Sequence, residues 1–196
     1  MTTSPADAVR PTCDAVAAAL VHPDGSAVDL AAPTPCADLD LRGLVEHFVG
    51  TSGALARLGR GEPLDPVDPW GGGAGAADGD WRAQLGDHLD AVARGWGRPE
   101  AWAGEAEVGG SAMPRSMLGE MALVEVAVHG WDLTRALGGT LDLPPQAAAA
   151  VLRAAAGSAE LGRRMGACGP EVPVPDDAPA FDQTLGVVGR YLGWPA

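Results

Sequence analysis

Apolar residues recur at intervals of three and four along most of the chain, the spacing that gathers them on one side of an α-helix. A first helix is predicted over residues 5–22, "PADAVRPTCDAVAAALVH", interrupted or bent near Pro11. The second, "LRGLVEHFVGTSGALARLG", covers 41–59 and turns Leu41, Leu44, Val45, Phe48, Ser52 and Leu55 inward. Asp40 stands at its N-cap, where a carboxylate accepts from otherwise unpaired backbone N–H groups. Asp80 does the same for a third helix over 81–97, with Trp81, Leu85, Leu89, Val92 and Trp96 on one side. Between these two, residues 59–79 are rich in glycine and proline and form a long surface connection that could serve as a lid. The glycine run there lacks the GK[ST] ending of a phosphate loop. A little extended structure fits 98–112. A fourth helix spans about 113–137 and stops at Gly138 and Gly139. Pro144 and Pro145 open a fifth over 144–166, and a sixth covers 180–194 after a proline-rich turn. The pattern shows no internal repeat and no run of strands. The expected architecture is all-α: one domain, with a four-helix bundle over about residues 5–137 and additional C-terminal helices over about 144–193.

The fourth helix breaks the apolar rule. Within "MALVEVAVHGWDLTRAL", residues 121–137, an otherwise greasy segment carries Glu125, His129 and Asp132. At about 100° per residue, these three share a stripe with Leu118, Met121, Ala122 and Ala136. The remaining faces carry Val124, Val126, Val128 and Leu133, so no side of the helix is suited to water. An ionised carboxylate buried without a partner costs several kcal/mol. Three kinds of compensation are open: a Glu125–His129 hydrogen-bonded pair, an arginine from elsewhere, or a metal ion shared by Glu125 and His129, which point the same way at positions i and i+4. A metal needs a third ligand. His47, in the middle of the second helix, is the natural candidate, although its position just outside the apolar stripe also suits a half-exposed histidine. His88, near the apolar side of the third helix, is a further candidate ligand or neighbour of the site, and His22, in a turn, comes after it.

Composition narrows the function. The formal charge of −13 excludes a counterion-displacing grip on nucleic acid and disfavours an anionic membrane surface. No apolar run is long enough to span a bilayer, and the first residues lack the pattern of a signal peptide. All 13 cationic residues are arginine, a coding bias of GC-rich genomes rather than a functional signal. Three scattered cysteines without a CxxC pair suggest reduced thiols and a cytoplasmic location. Cys36 and Cys168 have no histidine or cation beside them in sequence, which is the setting of inert thiols. Arg135 is a candidate for holding a substrate carboxylate, against the plainer role of complementing a helix C-terminus. Trp131, next to His129 along the helix, is placed to wall a pocket.

Taken together, "TPCADLDLRGLVEHFVG", "EVAVHGWDLTRALG" and the tail "GPEVPVPDDAPAFDQTLGVVGR" resemble the DinB-like, mycothiol-dependent maleylpyruvate isomerase family of actinobacteria, over most of the chain. The resemblance implies a four-helix bundle that holds a divalent metal, usually zinc. It implies ligands at His47, Glu125 and His129, with water or a thiol completing the coordination. It associates Asp132 with activity and with the thiol cofactor, which in that family is mycothiol. The full-length isomerase also carries a C-terminal domain that supplies an arginine for thiol recognition.

The leading expectation is therefore a zinc enzyme that lowers the pKa of a low-molecular-weight thiol for attack on a small electrophile. Release of the thiol after bond rotation would give isomerisation, and retention would give S-transfer. Asp132 is then the catalytic candidate, and Asp132 with Arg135 the candidates for holding thiol or substrate. The alternatives are a thiol-independent metal hydrolase with Asp132 as general base, a metal-containing small-molecule binding protein, and a metal-free bundle that uses the trio as a core polar network. The partners expected are small molecules, with a second copy of the chain as a possible addition.

Overall fold

The computed structural model describes residues 4–20 and 28–195. Its helices are α1 (Pro5–Ala19), α2 (Leu41–Gly59), α3 (Trp81–Trp96), α4 (Arg115–Ala136), α5 (Pro145–Met165) and α6 (Ala180–Val187), and most of the chain lies in them. The caps act where the sequence placed them. Asp40 Oδ1 accepts from the Gly43 amide at 2.8 Å, and Asp80 Oδ1 accepts from the Ala83 amide at 3.1 Å. The helix α1 continues through Pro11, which forfeits one ladder bond without ending the helix. The predicted extension to residue 22, and His22 itself, lie outside the described residues.

Four helices form the bundle. α1 packs on α3 and α4, and α2 packs on the same two, so α1 and α2 face each other across the diagonal. α5 then lies against both α1 and α4, and α6 against α5. α4 is thereby enclosed by α1, α2 and α5, which explains a helix that is apolar all round: its buried set includes every residue from Val126 to Thr134. The fold is the all-α bundle with a C-terminal helical pair that the apolar spacing predicts, and it is consistent with the DinB-like bundle that the family resemblance implies.

The connections refine that picture. The extended stretch before α4 is an antiparallel hairpin, β1 (Glu105–Val108) and β2 (Ser111–Pro114), turned by Gly109 and Gly110 at φ +57° and +78°. Pairing of Met113 and Pro114 in β2 is why α4 begins at Arg115 rather than at 113. The glycine-rich connection after α2 is tied back onto that helix. The Gly75 amide donates to Glu46 Oε1 at 3.0 Å, and Arg42 Nη1 donates to Asp78 Oδ1 at 2.8 Å. Among the described residues no helix is long and apolar enough to cross a membrane.

The largest departure from expectation is α6, which stops at Val187 instead of running on to 194. Gly189 adopts φ +86°, its amide donates to the Gly186 carbonyl at 3.0 Å, and the Arg190 amide donates to the Leu185 carbonyl at 2.7 Å. These two bonds make a Schellman stop. The apolar spacing continues through "GVVGRYLGW", but the reversal sends Arg190 back into the protein, where it is 7% exposed. α4 ends on the same device at Gly138, φ +78°.

These two stops differ in their surroundings, and that gives a test. A Cβ at Gly138 would meet nothing within 4 Å, so Gly138→Ala carries only the left-handed backbone cost of about 1–2 kcal/mol. A Cβ at Gly189 would lie 2.7 Å from Gly169 Cα and 2.8 Å from the Pro170 carbonyl oxygen. In urea unfolding Gly189→Ala is expected to lose clearly more stability than Gly138→Ala; equal losses would show that the 169–170 strand of chain yields freely.

Candidate metal centre

The polar stripe of α4 meets α2 near the middle of both helices. Phe48 and Leu44 fix α2 in the core, which leaves His47 at the edge of the interface with its ring against that of His129: centroids 4.8 Å apart, planes at 79°. Nε2 of His129 lies 3.3 Å from Glu125 Oε2, and Nε2 of His47 lies 3.8 Å from the same oxygen. The three donor atoms of His47, Glu125 and His129 all fall within 4.8 Å of one another. The side chains grade from 11% exposed at His129, through 24% at Glu125, to 42% at His47, so the group opens to solvent on the α2 side.

Behind His129 the arrangement is closed. Its Nδ1 lies 3.0 Å from Asp132 Oδ2. An ionised carboxylate only accepts, so that nitrogen carries the hydrogen. Asp132 is 0% exposed, and Arg190 grips it with a two-pronged guanidinium: Nε to Oδ1 and Nη2 to Oδ2, both at 2.8 Å. Burial alone would raise the Asp132 pKa, but the bonds from His129 and Arg190 outweigh it and hold the carboxyl below its usual range. Likewise burial would raise the Glu125 carboxyl, yet the facing imidazoles pull it well below ordinary values. For His129 burial favours the neutral ring, but Glu125 and Asp132 on its two sides prevail and raise it to about 9.

Does this group suit a divalent metal? Glu125 Oε2 is sealed from solvent yet makes no hydrogen bond among the described residues, although two imidazole nitrogens face it. A carboxylate oxygen left in that condition is costly unless a cation joins it. His129 also has the form of a ligand whose far nitrogen is oriented by a carboxylate. One carboxylate and two imidazoles are borderline donors suited to zinc and its neighbours. The residues fit.

Of the other candidates, Asp132 lies behind His129 with both oxygens engaged and no surface of its own. Arg135 is not brought to the group. It projects from another side of α4, where Nη2 donates to the Trp194 carbonyl at 2.8 Å and Nη1 to the Gly139 carbonyl at 3.4 Å. Trp131 lines the same hollow as Arg135. His88 packs between helices, its Nδ1 3.1 Å from the Val49 carbonyl and 3.3 Å from Ser52 Oγ. Two residues enter that sequence reasoning did not place here. Arg190 is the arginine from elsewhere that a buried carboxylate demands, and Cys36 Sγ lies within 4.8 Å of donor atoms of both His129 and Asp132. Burial pushes the Cys36 thiol pKa up, against the pull of Arg190.

The coupled charges set the pH response of the metal-free protein. The folded pKa of His129, about 9, exceeds its ordinary 6.5, so its contribution is full below about 6.5 and lost as pH rises through about 9. Asp132 has the opposite sign: its contribution is present above the ordinary carboxylate value and lost as pH falls. Chelator-treated protein should therefore lose stability on both sides of a mildly acidic plateau, measured by denaturant unfolding at each pH. The alkaline limb should vanish in His129→Gln and the acid limb should shrink in Asp132→Asn; a limb unchanged by its variant belongs to other groups.

Comparison with known proteins gives the chain a family. Residues 9–134, which carry His47, Glu125, His129 and Asp132, match the family described as the mycothiol maleylpyruvate isomerase N-terminal domain. Two uncharacterized Mycobacterium tuberculosis proteins, from strains CDC 1551 and H37Rv, are each 28% identical over 184 residues, covering 91% of this chain and 93% of theirs. No solved structure matches the chain. The family match covers well over half of the sequence and all four polar residues of the α2–α4 interface, and the chain belongs to the mycothiol maleylpyruvate isomerase N-terminal domain family.

Proposed function

We propose that this protein is a divalent-metal enzyme, with zinc as its metal, that uses a low-molecular-weight thiol, mycothiol, in isomerisation of a small electrophile or S-transfer to it. The observation that carries this reading is the convergence of His47, Glu125 and His129 on one partly open point, with Glu125 Oε2 buried and without a hydrogen bond. Three protein donors leave a position for an external ligand, the arrangement of a catalytic rather than a structural site. Zinc held there supplies Lewis acidity, which lets a thiol give up its proton near neutral pH.

The chain's own residues do the rest. Glu125 contributes the negative charge. His129 is locked in place by Asp132 and presents Nε2 toward Glu125. His47 stands at the solvent side, where small reactants arrive. Without a metal, the carboxylates of Glu125 and Asp132 keep His129 protonated, so metal uptake competes with that proton and strengthens as pH rises. Asp132, closed off by Arg190, acts through His129 and not on the reactants.

Protein purified without chelators is expected to contain stoichiometric zinc or a related divalent metal, and His129→Ala little. Turnover of a conjugated electrophile should need both metal and thiol. It should fall in His129→Ala by more than the roughly 10–100-fold typical of losing an outer-shell partner. Equal turnover without thiol assigns the site to hydrolysis. A well-folded parent without metal makes the trio a core polar network.

A further inference from the structure

A second set of donor atoms overlaps the first. Cys36 Sγ, a ring nitrogen of His129 and a carboxylate oxygen of Asp132 also lie within 4.8 Å of one another. The two sets share His129 and use its opposite nitrogens: Nε2 faces Glu125, and Nδ1 faces Asp132. Cys36 is firmly placed, since the Thr34 hydroxyl accepts from its amide at 3.2 Å and donates within the same loop, to the Leu39 carbonyl at 2.7 Å. A thiolate is also a stronger ligand for zinc-like ions than a carboxylate. Donor chemistry alone would draw a metal to the Cys36 side.

We propose that Arg190 decides between the two sets: by covering both oxygens of Asp132 it closes the Cys36–His129–Asp132 set to metal ions and commits His129 to the Glu125 side. The inference rests on the metal reading above. Nε and Nη2 of Arg190 take Oδ1 and Oδ2 at 2.8 Å each, and the side chain is almost wholly buried. A cation entering the Cys36 set would have to displace that guanidinium, leaving a buried charge unpaired beside a second positive charge. With Asp132 held as an acceptor, the hydrogen stays on Nδ1, and Nε2 is the nitrogen left for a metal. Arg190 is thus a positioning residue that acts through Asp132. It lies beyond residue 134, where the family match ends, so the choice is made by the C-terminal segment.

Cobalt(II) is the probe, because a bound thiolate gives it a near-ultraviolet sulfur-to-metal charge-transfer band that nitrogen and oxygen ligands do not. The parent is expected to bind cobalt without that band, and Cys36→Ser to leave spectrum and affinity unchanged. Arg190→Met is expected to gain the band, and Arg190→Met combined with Cys36→Ser to lack it and to bind cobalt about 10–100-fold more weakly than Cys36→Ser alone. If Arg190→Met does not fold, Arg190→Lys replaces it, since an ammonium keeps the charge but cannot cover both oxygens; the same gain of the band is expected. A sulfur band in the parent that Cys36→Ser removes overturns the proposal, as does a folded Arg190 variant with no band and undiminished affinity. Failure of the parent to bind cobalt or zinc at all would instead sink the metal reading, and this inference with it.

Discussion

A carboxylate with no access to water has to be neutralised inside the fold, and Asp132 is that carboxylate. The rest of the architecture answers to it. Arg190 reaches Asp132 because α6 stops at Val187 and the chain turns back through Gly189, and that turn has room because Gly189 carries no side chain against the backbone of Gly169 and Pro170. α5 supplies the platform by packing on both α1 and α4. A buried ion pair is weak evidence of stabilisation, since well-packed apolar residues often do as well. Its significance here lies in what it holds: a fixed acceptor for His129 Nδ1.

From that dry anchor, basic and acidic side chains alternate outward. Arginine, aspartate, imidazole, glutamate and imidazole follow one another from the C-terminal segment through α4 to α2. Each contact fixes the next group, and exposure rises steadily from Asp132 outward to His47. The inner end is therefore closed and the outer end reaches solvent. That combination suits a site that must hold geometry without the cost of reorganising while still admitting a reactant. The excess of acid over base in the chain has no part in this, because the site's own charges are matched locally, even though Glu125 Oε2 makes no hydrogen bond among the described residues.

The legible parts were those with a local physical cause. Asp40 and Asp80 announce α2 and α3 because an N-cap is a short-range bond, and the glycine pair after α4 announces its end for the same reason. Glu125, His129 and Asp132 stand out because acids on an apolar stripe need compensation wherever the helix packs. His47 was the natural third candidate by its place in the second helix, but its spacing also fits a half-exposed surface histidine, and only the family resemblance singled it out. The overrun of α6 has a different origin. Apolar spacing persists past Gly189, and nothing local distinguishes a glycine inside a helix from one that ends it; the contact with Gly169 does. Cys36 and Arg190 were missed as site residues because each comes from a loop or turn distant in sequence and joins α4 only after the bundle closes. Arg135 drew attention as a candidate for holding a substrate carboxylate, and its guanidinium donates to the carbonyls of Gly139 and Trp194.

The C-terminal helices complete the neutralisation of Asp132. Residues 9–134, the stretch matched by the family, contain every candidate ligand and the aspartate behind them, but not the cation that neutralises that aspartate. A bundle ending with α4 would leave Asp132 buried beside His129 with one partner missing. Removing one member of such a pair typically costs about 3–5 kcal/mol, a large share of the roughly 5–15 kcal/mol that holds a domain together. Water could enter and solvate the carboxylate, but then Nδ1 of His129 would lose its fixed acceptor and the ring its orientation. The α5–α6 segment is on this argument part of the centre: it keeps water from the back of His129 so that the front can face Glu125 in one orientation.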